Sequence, residues 1–509
     1  MSPALAYFLR FLSLALGLAT TPSHAAVGPD YQRPPTETPP AYKAADLGDW
    51  KTGEPLDHLP KGPWWQVFSD PDLDALEEKA RLANQDLRAA FAVLEQARAT
   101  ARVARSEFFP SLDLNPRYGR QRLSPTQEPA FGALTADTFT VPLDLSYEID
   151  LWGRVRRGFE GARADADSRA AALQNVLLTL QADVAQNYFA IRTLDTEIAV
   201  LHRTIQLRRD QLGIVSGRLE SGIGSELDVA RAETELATAE SDLAAASRRR
   251  NELENALAVL AGESPSTFRL PARFPTPPNG TQADDPALSW LPSPPTVPAG
   301  LPSQLLERRP DIAEAERQLA ADNARIGVAK AAFFPVLRLT GSGGFLSADV
   351  ESLFNWESRV WSLGPSLSLP IFAGGRNRAG LRRSQARFEE SVARYRQRIL
   401  VAFAEVENAL AGIRWLDEQA AAQNRAITHS RRARDLALES FTIGLGEYLD
   451  VIDADRAALQ NQRARTQLAG QRLAATVQLI KALGGGWQTP ASQVPDTTTR
   501  ATHHSQPAS

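Results

Sequence analysis

"GIGSELDVAR" at residues 222–231 and "GLGEYLDVID" at residues 444–453 are two copies of one phrase, Gly-x-Gly-x-x-Leu-Asp-Val, set 222 residues apart. Other landmarks recur in the same order. "ARSEFFPSLDL" and "AKAAFFPVLRL" place Phe108, Phe109 and Pro110 against Phe333, Phe334 and Pro335, at an offset of 225. "YEIDLWGRVR" and "LPIFAGGRNR" place Gly153 and Arg154 against Gly375 and Arg376, again at 222. Ordered landmarks at a nearly constant offset are the mark of internal duplication. Each copy reads as helix, two strands, long helix, glycine turn and return helix.

Composition narrows the class. The 509 residues are 43% hydrophobic, and their Ala-rich charged runs point to long helices. A net charge of −4 with scattered basic residues argues against nucleic acid as a partner. There is no cysteine, which removes disulfides and thiol chemistry and leaves the compartment open. The first residues are more informative: Arg10, an apolar run from Phe11 to Ala19, then Ser23-His24-Ala25 fit a secretory signal cleaved after Ala25. That run is shorter than the ~20 residues needed to span a bilayer, and no later segment reads as a transmembrane helix. If the protein enters a membrane, it does so with strands.

"FTVPLDLSYEIDLW" at 139–152 alternates Phe139, Val141, Leu143, Leu145, Tyr147, Ile149 and Leu151 with polar residues and Pro142. "WSLGPSLSLPI" at 361–371 repeats the arrangement. "SLDLNPRYG" at 111–119 and "VLRLTGSGGF" at 336–345 are their hairpin partners, giving hairpins over 111–152 and 336–372. An antiparallel sheet on a soluble core also alternates. Here the alternation is longer than an ordinary strand and matches the roughly 10-residue strand of a transmembrane barrel. Four strands cannot close a barrel, and open edges in lipid would leave backbone groups unsatisfied. The barrel must be shared: two copies would supply eight strands and three would supply twelve.

After each hairpin comes a long heptad. Leu173, Leu177, Leu180, Val184, Ile191, Leu194, Ile198, Leu201, Ile205, Leu212, Val215 and Leu219 form a seam interrupted only by Asn187 and Arg208; Phe388 to Leu416 form a second. A helix from Arg376 to Ser440 would run on the order of 100 Å. The return helices carry small residues, Ala232, Ala239 and Ala246, at packing positions. The layout is a signal peptide (1–25), an extended Pro-rich N-terminal segment (26–69), repeat 1 (70–262), a Pro-rich linker (263–301), repeat 2 (302–485) and a disordered tail (486–509).

The duplicated plan, the two "FFP" landmarks, the paired Gly-x-Gly-x-x-Leu-Asp-Val turns and the opening "VGPDYQRPP" together resemble the TolC-like outer-membrane efflux channels, in the branch serving resistance-nodulation-division drug pumps. The resemblance implies a mainly α protein with membrane β structure, trimeric, with a twelve-strand barrel and a twelve-helix periplasmic tunnel. It implies a passive exit duct for drugs or other small toxic compounds, opened by a periplasmic membrane-fusion adaptor and fed by an inner-membrane pump, in the outer membrane of a Gram-negative bacterium. It implies no cofactor. Members of this branch often carry a lipidated cysteine just before the "AVGPDY" segment. Ala25 stands there, so lipidation through cysteine is excluded and ordinary cleavage replaces it.

Asp450 and Asp453 lie three apart at a helix start and share a face. Carboxylates there complement the helix dipole. Repeated around a symmetry axis they would also form acidic rings that constrict a pore and select cations. By resemblance they match the family's aperture aspartates, with Asp228 the first-copy counterpart of Asp450. In some members a tyrosine and an arginine tie the aperture shut; here Phe441 and Gly446 stand in those places, and Arg231, opposite Asp453 in the repeat, is a candidate salt-bridge partner. "RLESG" (Arg218, Leu219, Gly222) resembles the family's adaptor-docking tip, where "SFTIG" stands in the second copy. Gly222, Gly224, Gly444 and Gly446 also permit a tight helix reversal.

Two other readings are a channel of this fold for type I protein secretion and a periplasmic coiled-coil scaffold. Catalysis has no support: the six histidines are isolated or in dispensable segments, and there is no metal-protease motif, phosphate loop or cysteine site.

Overall fold

The computed structural model describes residues 26–35, 62–122, 124, 135–273 and 308–485. The signal peptide and the C-terminal tail read from the sequence lie outside them. Along the chain run α1 (Pro71–Ala83), α2 (Gln85–Ser106), β1 (Ser111–Leu114), β2 (Arg117–Arg122), β3 (Thr135–Ile149), α3 (Arg154–Glu220) and α4 (Glu226–Leu260). The second half gives α5 (Pro310–Ala331), β4 (Val336–Ser347), β5 (Arg359–Ser368), α6 (Arg376–Thr442) and α7 (Tyr448–Ala482). The protein is mainly helical, with a single sheet among the described residues, and it divides into two units. Among the described residues no helix is long and apolar enough to cross a membrane.

The first unit takes in described residues 26–35, 89–173 and 311–400 and holds the sheet. All pairings are antiparallel, and the sheet is four strands wide. Its first arm, which the sequence suggests as one strand, is split: Pro116 has no N–H to donate, so β1 and β2 flank Asn115-Pro116 and both pair with β3. Asn115 bridges the break, its backbone N–H 3.2 Å from the Pro142 carbonyl and its side chain 3.0 Å from Asp144.

Register sorts the residues by face. Leu112 lies beside Leu145, Leu114 beside Leu143, Tyr118 beside Phe139, Tyr147 beside Leu339, Ile149 beside Leu337 and Leu337 beside Leu367. The other face pairs Asp113 with Asp144, Glu148 with Arg338, and Ser342 with both Asp144 and Ser362. The apolar face is open, with Trp361 83% and Leu367 68% exposed. Pro142 in mid-strand faces Gly344, where a Cβ would overlap the Val141 carbonyl oxygen.

Where strands become helices, aromatic residues pack the junction. Trp152 stacks on Phe334 with ring centroids 4.7 Å apart and donates to the Pro335 carbonyl at 2.8 Å. Phe108 meets Phe159 edge to face at 5.7 Å. Residues 26–35 run extended across both repeats: the Val27 N–H donates to the Trp152 carbonyl, Asn323 donates to the Pro29 carbonyl, and Arg33 pairs with Glu316 at 2.8 Å.

The second unit takes in described residues 62–88, 174–273, 308–310 and 401–485. Its α1 begins at an Asp70 cap, whose carboxylate accepts from the Asp72 N–H at 3.0 Å, with Pro71 at the first helical position. Trp64, Phe68, Leu73, Leu76 and Ala80 pack on Val184, Tyr188, Phe189, Leu257, Phe268, Leu473 and Val477. Each large side chain buried there contributes about 1.5–3 kcal/mol. Beside this core, Asp195, fully buried, receives Arg192 at 3.1 Å and Arg250 at 2.6 Å. Arg192 also donates to the Pro271 carbonyl at 2.7 Å, so the start of the linker is tied down.

Candidate functional site

Two helix reversals in the second unit carry the repeated phrase. At the first, the Gly222 N–H donates to the Leu219 carbonyl at 2.9 Å and the Ile223 N–H to the Arg218 carbonyl at 3.0 Å. At the second, Gly444 donates to Phe441 at 3.1 Å and Leu445 to Ser440 at 2.8 Å. Both are the hydrogen-bond pair of a Schellman ending, which requires a left-handed residue; Gly222 (φ +77°) and Gly444 (φ +80°) supply it. The following glycines answer a different need. A Cβ on Gly224 would stand 2.5 Å from the Leu219 nitrogen, and one on Gly446 would stand 3.1 Å from Ser440 Cβ. The phrase therefore encodes one turn geometry twice, left-handed glycine first and close-approach glycine second.

Ser225 caps α4, its side chain accepting from the Leu227 N–H at 3.2 Å; Glu447 precedes α7 with no side-chain cap. Beneath the turns, Val215 of α3, Ala232 of α4, Phe441 of α6 and Tyr448, Val451 and Ile452 of α7 form a small apolar core. Phe441 and Tyr448 rings lie 5.2 Å apart. Arg218 spans the two turns: its guanidinium sits 4.5 Å over the Phe441 ring and donates to the Phe441 carbonyl at 2.9 Å. Its charged group is thus spent inside the protomer. At the turn surfaces stand apolar side chains instead, Ile223 at 71% and Leu445 at 82% exposure, with Leu219 at 37%.

Below that core lies a buried ionic layer. Arg208 pairs with Glu235 at 2.9 Å and with Asp455 at 3.3 Å, joining α3 to α4 and to α7. Arg456 adds a hydrogen bond to Glu235 at 2.9 Å. Burial raises the Asp455 carboxyl above its ordinary range although Arg208 pulls it down. Burial, with Asp455 nearby, pushes the Tyr448 hydroxyl up to about 12.

The aspartates stand on the exposed sides of the return helices. The Asp450 carboxylate has no hydrogen bond or ion pair among the described residues, and Asp453 lies 3.8 Å from Arg456. Arg231 reaches Asp228 on its own helix at 3.5 Å. The structure therefore does not bring Arg231 to Asp453 within the chain.

Sequence reasoning missed the Arg208 layer, having read that arginine only as an interruption of the seam. The signal was there: a guanidinium at a heptad core position demands carboxylates at its level. Arg218, which the sequence suggests for adaptor docking, has its guanidinium over Phe441. Among the described residues no group of three or more His, Asp or Glu could hold a metal ion.

The outer membrane efflux protein family matches residues 76–263 and 301–485 of this chain. The solvent efflux pump outer membrane protein SrpC of Pseudomonas putida is 34% identical over 489 residues, covering 94% of this chain and 99% of that protein. The structure of the outer-membrane channel OprN superposes with a TM-score of 0.79 at 30% identity, over 91% of this chain and 99% of OprN. CusC, whose structures describe transmembrane channel formation, gives a TM-score of 0.77 at 30% identity, over 90% of this chain and 99% of CusC.

Proposed function

We propose, because the chain belongs to the outer membrane efflux protein family, that three copies of it close their sheets into one twelve-strand barrel and their helices into a twelve-helix periplasmic tunnel. The protein is an outer-membrane efflux channel subunit and not an enzyme. One observation supports the trimeric barrel above others: the sheet is four strands wide, carries a continuous run of apolar side chains on one face from Leu112 and Leu145 to Leu337 and Leu367, and is unpaired at β1/β2 and at β5 among the described residues. Such edges in lipid leave several kcal/mol of unsatisfied backbone per group, in rough terms, and only closure removes them. With the apolar face toward lipid, the face bearing Asp113, Asp144, Glu148 and Arg338 lines the lumen.

In this reading Asp450 and Asp453, repeated three times, form the acidic rings of the periplasmic aperture, with Asp228 and Arg231 beside them. Exposure of the two carboxylates supports it. The turns at Gly222, Gly224, Gly444 and Gly446 present Leu219, Ile223 and Leu445 to the helical hairpins of a periplasmic adaptor, which couples the duct to an inner-membrane pump. Arg218 serves there by tying the two turns together through Phe441. The cargo is small toxic organic compounds; SrpC is by name a solvent efflux protein.

Outer-membrane fractionation tests this directly. The protein should stay with membranes in carbonate and run as a heat-sensitive trimer on gels. Release by carbonate as a monomer would return the coiled-coil scaffold.

A further inference from the structure

The two repeats treat the arginines at their strand-to-helix junctions differently. In repeat 1, Arg154 pairs with Glu148 at 2.6 Å and Glu107 at 3.0 Å, Arg156 with Asp150 at 3.3 Å, and Arg157 with Asp30 at 2.8 Å and Glu160 at 2.9 Å. Each of these arginines has a carboxylate partner. In repeat 2 the equivalent stretch opens α6 with Arg376, Arg378, Arg382 and Arg383, all exposed and with no ion pair or side-chain hydrogen bond among the described residues. No acidic residue occurs between Glu357 and Glu389 to balance them.

The residues just before these arginines are apolar and open. Ile371 is 94% and Phe372 91% exposed. Asn377, in the first turn of α6, donates to the Ala332 carbonyl at 2.8 Å, which sets this turn beside exposed Phe333. All of these residues belong to the first unit, directly after β5 and at the end of α5. Exposed Ile and Phe followed within a few residues by unpaired guanidinium groups is the pattern of a segment at a membrane boundary, apolar groups in the acyl region and arginines among headgroups.

We infer that the start of α6 is a binding surface for anionic phospholipid headgroups of the leaflet facing the periplasm. The inference rests on the barrel reading, which places the end of β5 at the membrane surface. Four unpaired arginines attract phosphodiester oxygens through their positive charge. Repeat 1 lacks the surface because its own carboxylates already occupy its arginines. One patch per chain gives three per trimer.

The test compares purified full-length protein in micelles with added phosphatidylglycerol or phosphatidylcholine, counting retained lipid by native mass spectrometry. The expected preference for phosphatidylglycerol is roughly tenfold or more, given the usual attraction per basic side chain at an anionic surface. Changing Arg376, Arg378, Arg382 and Arg383 together to Gln abolishes it. Lysine at all four positions keeps it, because headgroup attraction reads charge, whereas a protein contact built on guanidinium geometry would be lost. Changing Arg249 and Arg425 to Gln, both in the second unit, leaves it unchanged. Equal retention of the two lipids by wild type, or an unaltered preference in the glutamine variant, overturns the inference. So does capture by anionic cell-wall glycan with no lipid preference. Carbonate extraction in parallel separates the two claims: a glutamine variant that stays in the membrane leaves the barrel standing, and a wild type that is extracted removes it.

Discussion

Arg208 shows what a single side chain does for the helical unit. It sits almost wholly out of water between Glu235 and Asp455, so truncating it strands two carboxylates in a low-dielectric layer. Arg208→Ala should cost about 3–5 kcal/mol of stability, while removing the layer as a whole with apolar residues should cost much less. Chemical denaturation of wild type and the two variants side by side checks this, and equal losses would refute the layer's coupling. Glu77 is a second buried charge, with neither oxygen hydrogen-bonded within the protein. Burial, with Asp74 beside it, pushes its carboxyl from 4.5 up to about 9. The folded state therefore holds the proton that the unfolded chain gives up. That contribution is complete below the unfolded value near 4.5 and is lost as pH rises to about 9, with a slope of at most about 1.4 kcal/mol per pH unit. Glu77→Gln should flatten stability across this window and raise the melting temperature at pH 8 more than at pH 5. The sequence shows Arg208 as a charge at a core position, but not which carboxylates meet it, nor that Glu77 is buried, because both depend on which helices meet at that level.

At the scale of elements, more could be read. Alternation in "FTVPLDLSYEIDLW" fixes which side chains share a face, and the repeated glycine phrase fixes where helices reverse, since both are local properties of the chain. The first arm reads as one strand in the sequence; its break at Asn115-Pro116, with both pieces pairing with one strand, is a tertiary choice. Two substitutions probe the faces of the sheet. Leu143→Arg, on the apolar face, should cost about 2–4 kcal/mol if that face meets lipid, and Ser342→Arg on the opposite face should cost little. Folding into outer-membrane-like vesicles measures both, and equal penalties would contradict the assignment of faces. Gly344→Ala should impair assembly more than Gly343→Ala, because only the former thrusts a Cβ into the Val141 carbonyl, whereas Gly343 has open space around it.

The whole molecule is a duplicated unit whose halves have diverged where function divides them. The duplication was visible in residues that recur at fixed offsets, and the resemblance to an efflux family in those motifs together with the opening "VGPDYQRPP". The divergence was not, because it lies in partners: paired arginines after β3 against unpaired ones after β5, and an arginine from one turn resting on a phenylalanine from the other. Arg218→Ala should loosen the two turns and raise resting conductance severalfold, an effect read in the same experiment that tests the central claim. That experiment is ion conductance of purified protein in planar bilayers, wild type beside Asp450→Ala/Asp453→Ala. Small, cation-selective currents that rise sharply and lose selectivity in the double variant are the predicted result. Folded trimers that conduct nothing, or a double variant indistinguishable from wild type, would contradict a duct constricted at the repeated turn.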